Sequence, residues 1–165
     1  MTGVEVRVLV PEDWEIWRDI RLRALLDSPD AFGSTYEREV RFTEEVWRSR
    51  LEDRDSVSVV ALEREAPVAM VGGYPDLPGL LHVVAMWVAP AARGRRLAHA
   101  VLGVLETWAG ARGLRLHLDV NRANAAARRC YERYGFVPTG ESHPLRAGSD
   151  QVCERMVLGD PRSGP

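Results

Sequence analysis

A chain of 165 residues suits a single domain with one sizeable core. With 45% hydrophobic and 28% charged residues it reads as an ordinary soluble globular protein. A formal net charge of -2 gives no support to a nucleic-acid partner, and no apolar run approaches the roughly 20 residues of a membrane span.

In chain order, Val4, Val6, Val8 and Val10 alternate with polar residues and stop at Pro11, which predicts a strand with one buried face. Pro11-Glu-Asp opens a helix, because Pro suits a first turn and acids suit the positive dipole end. Trp17, Ile20, Ala24 and Leu25 continue it to the Asp27-Ser-Pro-Asp stop. Residues 31–42 have no clean period and read as an irregular segment. Thr43 caps a short second helix reaching about Asp53. Residues 56–62 and 67–74 are β-rich and form a hairpin, and Pro75-Asp-Leu-Pro-Gly79 is a turn. Residues 80–88 are a nearly continuous apolar run, as expected of a strand buried on both faces.

After Pro90 the period becomes helical, with Leu97, Val101, Leu102, Leu105 and Trp108 in phase. Leu114, Leu116, Leu118 and Val120 then share one face of a strand. Asn124 to Tyr134 is a further helix ended by Gly135, and strands begin at Phe136 and Gln151. The order β-α-α-β-β-β-α-β-α-β-β is a mixed α/β domain, expected over residues 1–160 with 161–165 a frayed tail.

All 22 basic side chains are Arg, so no Lys is present to act as a base or Schiff-base nucleophile. Cys130 and Cys153 show no metal-ligand spacing, and no metal is expected. Two thiols without a disulfide framework suit a reduced, cytoplasmic protein. The opening MTGVEVRVLVPEDWE lacks the form of a signal peptide.

Two stretches carry chemistry. In the stretch from Met86 to His99 a strand runs through a Pro-containing turn into a helix start. The unpaired N–H groups of a first helical turn and its dipole make an anion site. Arg93, Arg95 and Arg96 add charge, and the small residues Gly94 and Ala98 allow close approach. The second stretch leads from Leu118 and Asp119 through Asn124 to Tyr131, seven residues and two turns further along the same helix face.

The motifs Val88-x-Pro90-x-x-Arg93-Gly94-x-Arg96-Leu97-Ala98 and Asn124-x-x-Ala127-x-x-x-Tyr131-x-x-x-Gly135-Phe136 resemble those of the GCN5-related N-acetyltransferase (GNAT) superfamily. The resemblance implies a mixed sheet that splays after its fourth strand, with acetyl-coenzyme A (acetyl-CoA) in the gap. It implies that Met86, Trp87 and Val88 pair with the pantetheine arm, the Val88 N–H holding the thioester carbonyl. It implies that Arg93, Gly94, Arg95, Arg96, Leu97, Ala98 and His99 wrap the pyrophosphate. Asn124 would bond the pantetheine or cap its own helix. Tyr131 stands where the family's general acid stands, the alternative being simple packing against Phe136. Asp119 is the expected base, with Glu37 and Glu39 as rivals and His82 and His143 as weaker ones. Phe32, Tyr36 and Glu37 would line the acceptor side. The family often has Gly where this chain has Arg96. The helical local sequence predicts right-handed backbone there, which an Arg tolerates.

These expectations describe an enzyme that moves an acetyl group from acetyl-CoA to a primary amine by direct attack, the acceptor being a small molecule. The competing functions are an acetyl-CoA sensor without turnover and an acetyltransferase acting on protein N-termini or side chains. A homodimer through an exposed last strand is also open.

Overall fold

The computed structural model describes residues 3–159; the expected 161–165 tail lies outside them. β1 (Val4–Val8) is followed by a 3-10 turn and α1 (Trp14–Asp27). The irregular segment contains one short helix, α2 (Tyr36–Glu39), started by the Thr35 side chain accepting from the Arg38 N–H. Then come α3 (Glu44–Glu52), β2 (Val57–Glu63), β3 (Ala66–Leu77), β4 (Leu80–Val88), α4 (Leu97–Gly110), β5 (Arg115–Asn121), α5 (Ala125–Tyr134), β6 (Phe136–Pro144) and β7 (Val152–Leu158).

The seven strands form one mixed sheet in the order β1-β2-β3-β4-β5-β7-β6. Among the described residues only β4 and β5 pair in parallel, which the α4 crossover permits. The last strand is therefore interior, flanked by β5 and β6, and offers no free edge for a dimer; the edges are β1 and β6. No helix among the described residues is long and apolar enough to cross a membrane.

Two adjacent glycines in β3 show how the sheet is covered. A Cβ at Gly72 would meet Trp17 of α1, and a Cβ at Gly73 would meet Leu105 of α4. Successive strand residues face opposite sides, so α1 and α4 cover opposite faces. Trp17, Ile20 and Leu25 are buried on one side, and Val101, Leu102 and Leu105 on the other. Burial of such side chains stabilises by about 1.5–3 kcal/mol each.

β4 departs from the expected strand buried on both faces. Leu81, Val83 and Trp87 are buried, but His82, Val84, Ala85 and Met86 are half-buried. The reason is a split in the sheet. β4 pairs with β5 only from Leu80↔Arg115 to Val83↔Leu118, yet it continues along β3 to Ala69↔Val88. Beyond Val83 the β4 edge toward β5 is open.

The expected turn over residues 75–79 is also shorter. β3 runs on through Asp76 to Leu77, and the chain reverses at Pro78-Gly79, where Gly79 takes φ 74°. Asp76 thus belongs to a strand end beside β4.

Candidate active site

The site is a cavity of about 700 Å³ in the split between β4 and β5. Met86, Asn124, Tyr131, Phe32, His82 and Asp119 line it. Phe32, Asp119, Met86, Asn124 and Tyr131 were expected site residues, and the fold brings them to one cavity. Tyr36 and Glu37 do not line it, and Glu37 is exposed.

β4 carries a bulge here. Met70 pairs with Trp87 and Gly72 with Val84, so Val71 faces both Ala85 and Met86. Ala85 takes φ 57°, a left-handed conformation that a non-glycine residue adopts at a cost. Past the bulge the ladder is regular. The Ala89 N–H donates to the Val68 carbonyl at 2.8 Å, which places Val88 at a non-bonded position. Its N–H and C=O therefore turn away from β3, toward the gap. The carbonyl accepts from Arg93 Nε at 3.0 Å. Trp87 is different: its ring is buried and its Nε1 donates to Asp27 at 3.0 Å, so its side chain serves packing.

The turn before α4 corrects one expectation. Arg96 is not right-handed; it takes φ 61° and ψ 24°, just before the helix begins at Leu97. Gly94 takes φ 79°. Hydrophobic periodicity extends the helix pattern backward past its true start, because Arg-Gly-Arg-Arg has no apolar residue to mark the break. The basic side chains also differ in availability. Arg93 pairs with Asp27 at 2.8 Å, and Arg95 with Glu63 at 2.9 Å. Arg96 is exposed and makes no ion pair among the described residues. Leu97 is buried in the core, while His99 meets Tyr134 edge-on at 5.4 Å between ring centroids.

Asn124 caps α5: its Oδ1 accepts from the Ala127 N–H at 3.1 Å, which leaves the amide Nδ2 as a donor at the cavity wall. Tyr131 is buried, 5.8 Å from Phe136 between ring centroids. Burial pushes its hydroxyl pKa well above the ordinary 10, so the phenol stays protonated until a strong base appears beside it.

Asp119, also on the cavity wall, is already held. Arg155 Nε lies 3.1 Å from Oδ1 and His143 Nε2 lies 2.9 Å from Oδ2. Burial pushes the Asp119 pKa up, but the Arg155 and His143 contacts outweigh it and leave it below the ordinary value. His82 faces the same carboxylate, its Nε2 3.6 Å from Asp119 Oδ2, while its Nδ1 lies 3.0 Å from Asp76 Oδ2. Burial lowers the His82 pKa despite these carboxylates, so the ring is neutral near pH 7. His82 and His143, the weaker candidates by sequence, thus sit at the centre of the polar cluster. Asp76 and His117 were not singled out at all. His117 falls between Leu116 and Leu118 in an apolar run, and only the register His82↔His117 shows where it stands.

Glu39 is fully buried between two guanidinium groups, with Arg21 at 2.9 Å and Arg50 at 2.9 Å. Arg21 also lies over the Phe32 ring, 4.9 Å from its centroid. Glu39, a rival for the base, therefore anchors the segment that carries Phe32.

A family model described as the acetyltransferase (GNAT) family matches residues 14–136. A mycothiol acetyltransferase from Brachybacterium faecium is 33% identical over 144 residues, covering 82% of this chain and 41% of that relative. The chain thus spans less than half the length of that curated relative. Among solved structures, a GNAT-family acetyltransferase from Streptococcus pneumoniae superposes with a TM-score of 0.80 at 18% identity, covering 95% of this chain and all of that one. The PaiA N-acetyltransferase from Thermoplasma acidophilum, in complex with coenzyme A, gives a TM-score of 0.70 at 16% identity, covering 92% of this chain and 98% of that one. With its split sheet and the match over most of its length, the chain belongs to the acetyltransferase (GNAT) family.

Proposed function

We propose that the protein transfers the acetyl group of acetyl-CoA to the primary amine of a small molecule by direct attack. The observation that carries this reading is the gap where β4 continues past Val83 without β5, with Tyr131 and Asn124 among the residues that line it. A pantetheine arm laid along the open edge of β4 would take the place of a missing strand. The Arg96 guanidinium and the backbone N–H groups of the Gly94–Arg96 turn would hold the pyrophosphate. The mycothiol acetyltransferase name of the Brachybacterium faecium relative supports a small-molecule acceptor.

The acceptor ammonium binds against Asp119, whose lowered pKa suits it to hold a cation and weakens it as a base. The neutral His82 imidazole takes one proton, directly or through water, and releases it to solvent. The amine lone pair attacks the thioester carbon, and the gap-facing Val88 N–H stabilises the oxyanion. Collapse breaks the C–S bond. Tyr131 gives its proton to the thiolate and recovers one from the amide nitrogen. One ammonium and one thioester become one amide, one thiol and one released proton.

Release of free thiol from acetyl-CoA in the presence of a panel of small amines tests the reading. Amine-dependent release is expected. Stabilisation by acetyl-CoA without release would mark a sensor instead, and no effect of acetyl-CoA on melting would overturn the reading altogether.

A further inference from the structure

We infer that Asp76, His82 and His117 form a binding site for a divalent transition-metal ion of the Zn²⁺ type beside the cleft, whose wall His82 shares. Three strands bring these residues together. His82 on β4 and His117 on β5 are direct parallel partners, so their rings leave one face of the sheet side by side. The ring centroids lie 4.7 Å apart. Asp76 reaches over from the end of β3. Its Oδ1 lies 2.7 Å from His117 Nε2 and its Oδ2 lies 3.0 Å from His82 Nδ1. One ligand atom from each residue falls within 4.8 Å of the others. An ion about 2.0–2.2 Å from each donor would span such a set after small side-chain rotations.

The chemistry of the donors selects the ion. Two imidazoles and one carboxylate suit Zn²⁺ and its neighbours, whereas Mg²⁺ and Ca²⁺ take oxygen donors. Three protein ligands leave an open position for water or an amine. The surroundings supply the outer contacts. Coordination through His82 Nδ1 moves its hydrogen to Nε2, which faces Asp119 Oδ2 at 3.6 Å. A small rotation that closes this distance to a hydrogen bond would give the carboxylate–imidazole–metal arrangement in which the outer acid orients the ligand. His117 is 1% exposed, and its Nδ1 has no hydrogen-bond partner among the described residues. Moving its hydrogen there gives up the hydrogen bond from Nε2 to Asp76 Oδ1, and bonds from both atoms to the ion replace it. Asp76 lies at the solvent side and gives the ion a way in.

With Nδ1 on the ion and the hydrogen on Nε2, the His82 ring has no free nitrogen to take a proton from the amine. On the proposed acetyl-transfer reading, it would therefore inhibit.

The test is isothermal titration of the acetyl-CoA-free protein with Zn²⁺ alone. One saturable ion per chain is expected, with a Co²⁺ visible spectrum saturating at the same ratio and no heat from Mg²⁺. His117→Gln and Asp76→Asn should each weaken binding by more than the roughly 10–100-fold typical of losing an outer contact. His99→Gln, on α4, should leave it unchanged. Should His117→Gln fail to fold, Asp76→Asn on the strand end carries the same test. No saturation below about 100 µM, or equal losses in His99→Gln and Asp76→Asn, would overturn the site. These titrations need no turnover, so their failure and a failure of the acetyl-transfer reading are told apart.

Discussion

The Trp87 indole Nε1 donates to Asp27 Oδ2 at 3.0 Å. The same oxygen accepts from Arg93 Nη2 at 2.8 Å. One carboxylate at the end of α1 thus ties the end of β4 to the turn that leads into α4. The hydrogen bond from Trp87, with that from Ser28, holds the Asp27 pKa below its ordinary value, and Arg93 adds to them against a burial penalty. Asp27→Ala leaves the buried indole N–H without an acceptor. It should cost about 1–3 kcal/mol in urea denaturation. A change within experimental error would show that water replaces the carboxylate.

Tyr131→Phe should lower turnover by about 10²-fold or more while acetyl-CoA affinity stays close to that of the wild type. The substitution keeps the ring that meets Phe136 edge-on, so packing is preserved. Unchanged turnover in a steady-state assay would reduce Tyr131 to a packing residue.

Arg96 separates charge from backbone strain. Both Arg96→Gly and Arg96→Ala remove the guanidinium and should weaken acetyl-CoA binding alike, as read by titration. They should differ in stability, because only Gly adopts the observed φ of 61° freely. Arg96→Gly should be the more stable of the two by about 1 kcal/mol in thermal melts. Equal melting points would argue that the turn relaxes in the alanine variant.

Glu39 predicts an acid-sensitive fold. Burial pushes its pKa up, but Arg21 and Arg50 outweigh that and leave it below the ordinary 4.5. A depressed folded-state pKa means that the stabilisation is complete above the unfolded value near 4.5 and is lost as pH falls through the folded value. Denaturation from pH 7 to 3 should show this loss. Glu39→Gln should be destabilised by about 3–5 kcal/mol at pH 7, since it leaves two guanidinium groups facing a neutral partner, and the gap from wild type should narrow below pH 4.5. A constant gap across that range would place the titrating group elsewhere.

Much of the site could be read from neighbouring residues in the chain. Asn124, Tyr131 and Gly135 mark a helix by its cap, its face and its stop, and each of those is a local property. The apolar period likewise located α4 and β5. Local reading failed where a residue's conformation or partner is set across the sheet. Asp76 looked like turn sequence because Pro and Gly flank it, yet pairing with β4 draws it into β3. His117 carries no local signal between Leu116 and Leu118, and only the register places it against His82. Arg96 looked helical, yet the turn holds it left-handed.

By itself the sequence determined the order of the main elements, the glycine-containing turn before α4 and the aligned Asn124 and Tyr131, because hydrophobic period, caps and turn residues act over a few residues of chain. Only the tertiary structure decided where the sheet splits, which arginines are already paired, and that Asp76, His82, Asp119 and His117 meet. Those outcomes depend on strand register and on burial, which are shared between segments as far as 66 residues apart and belong to no one of them.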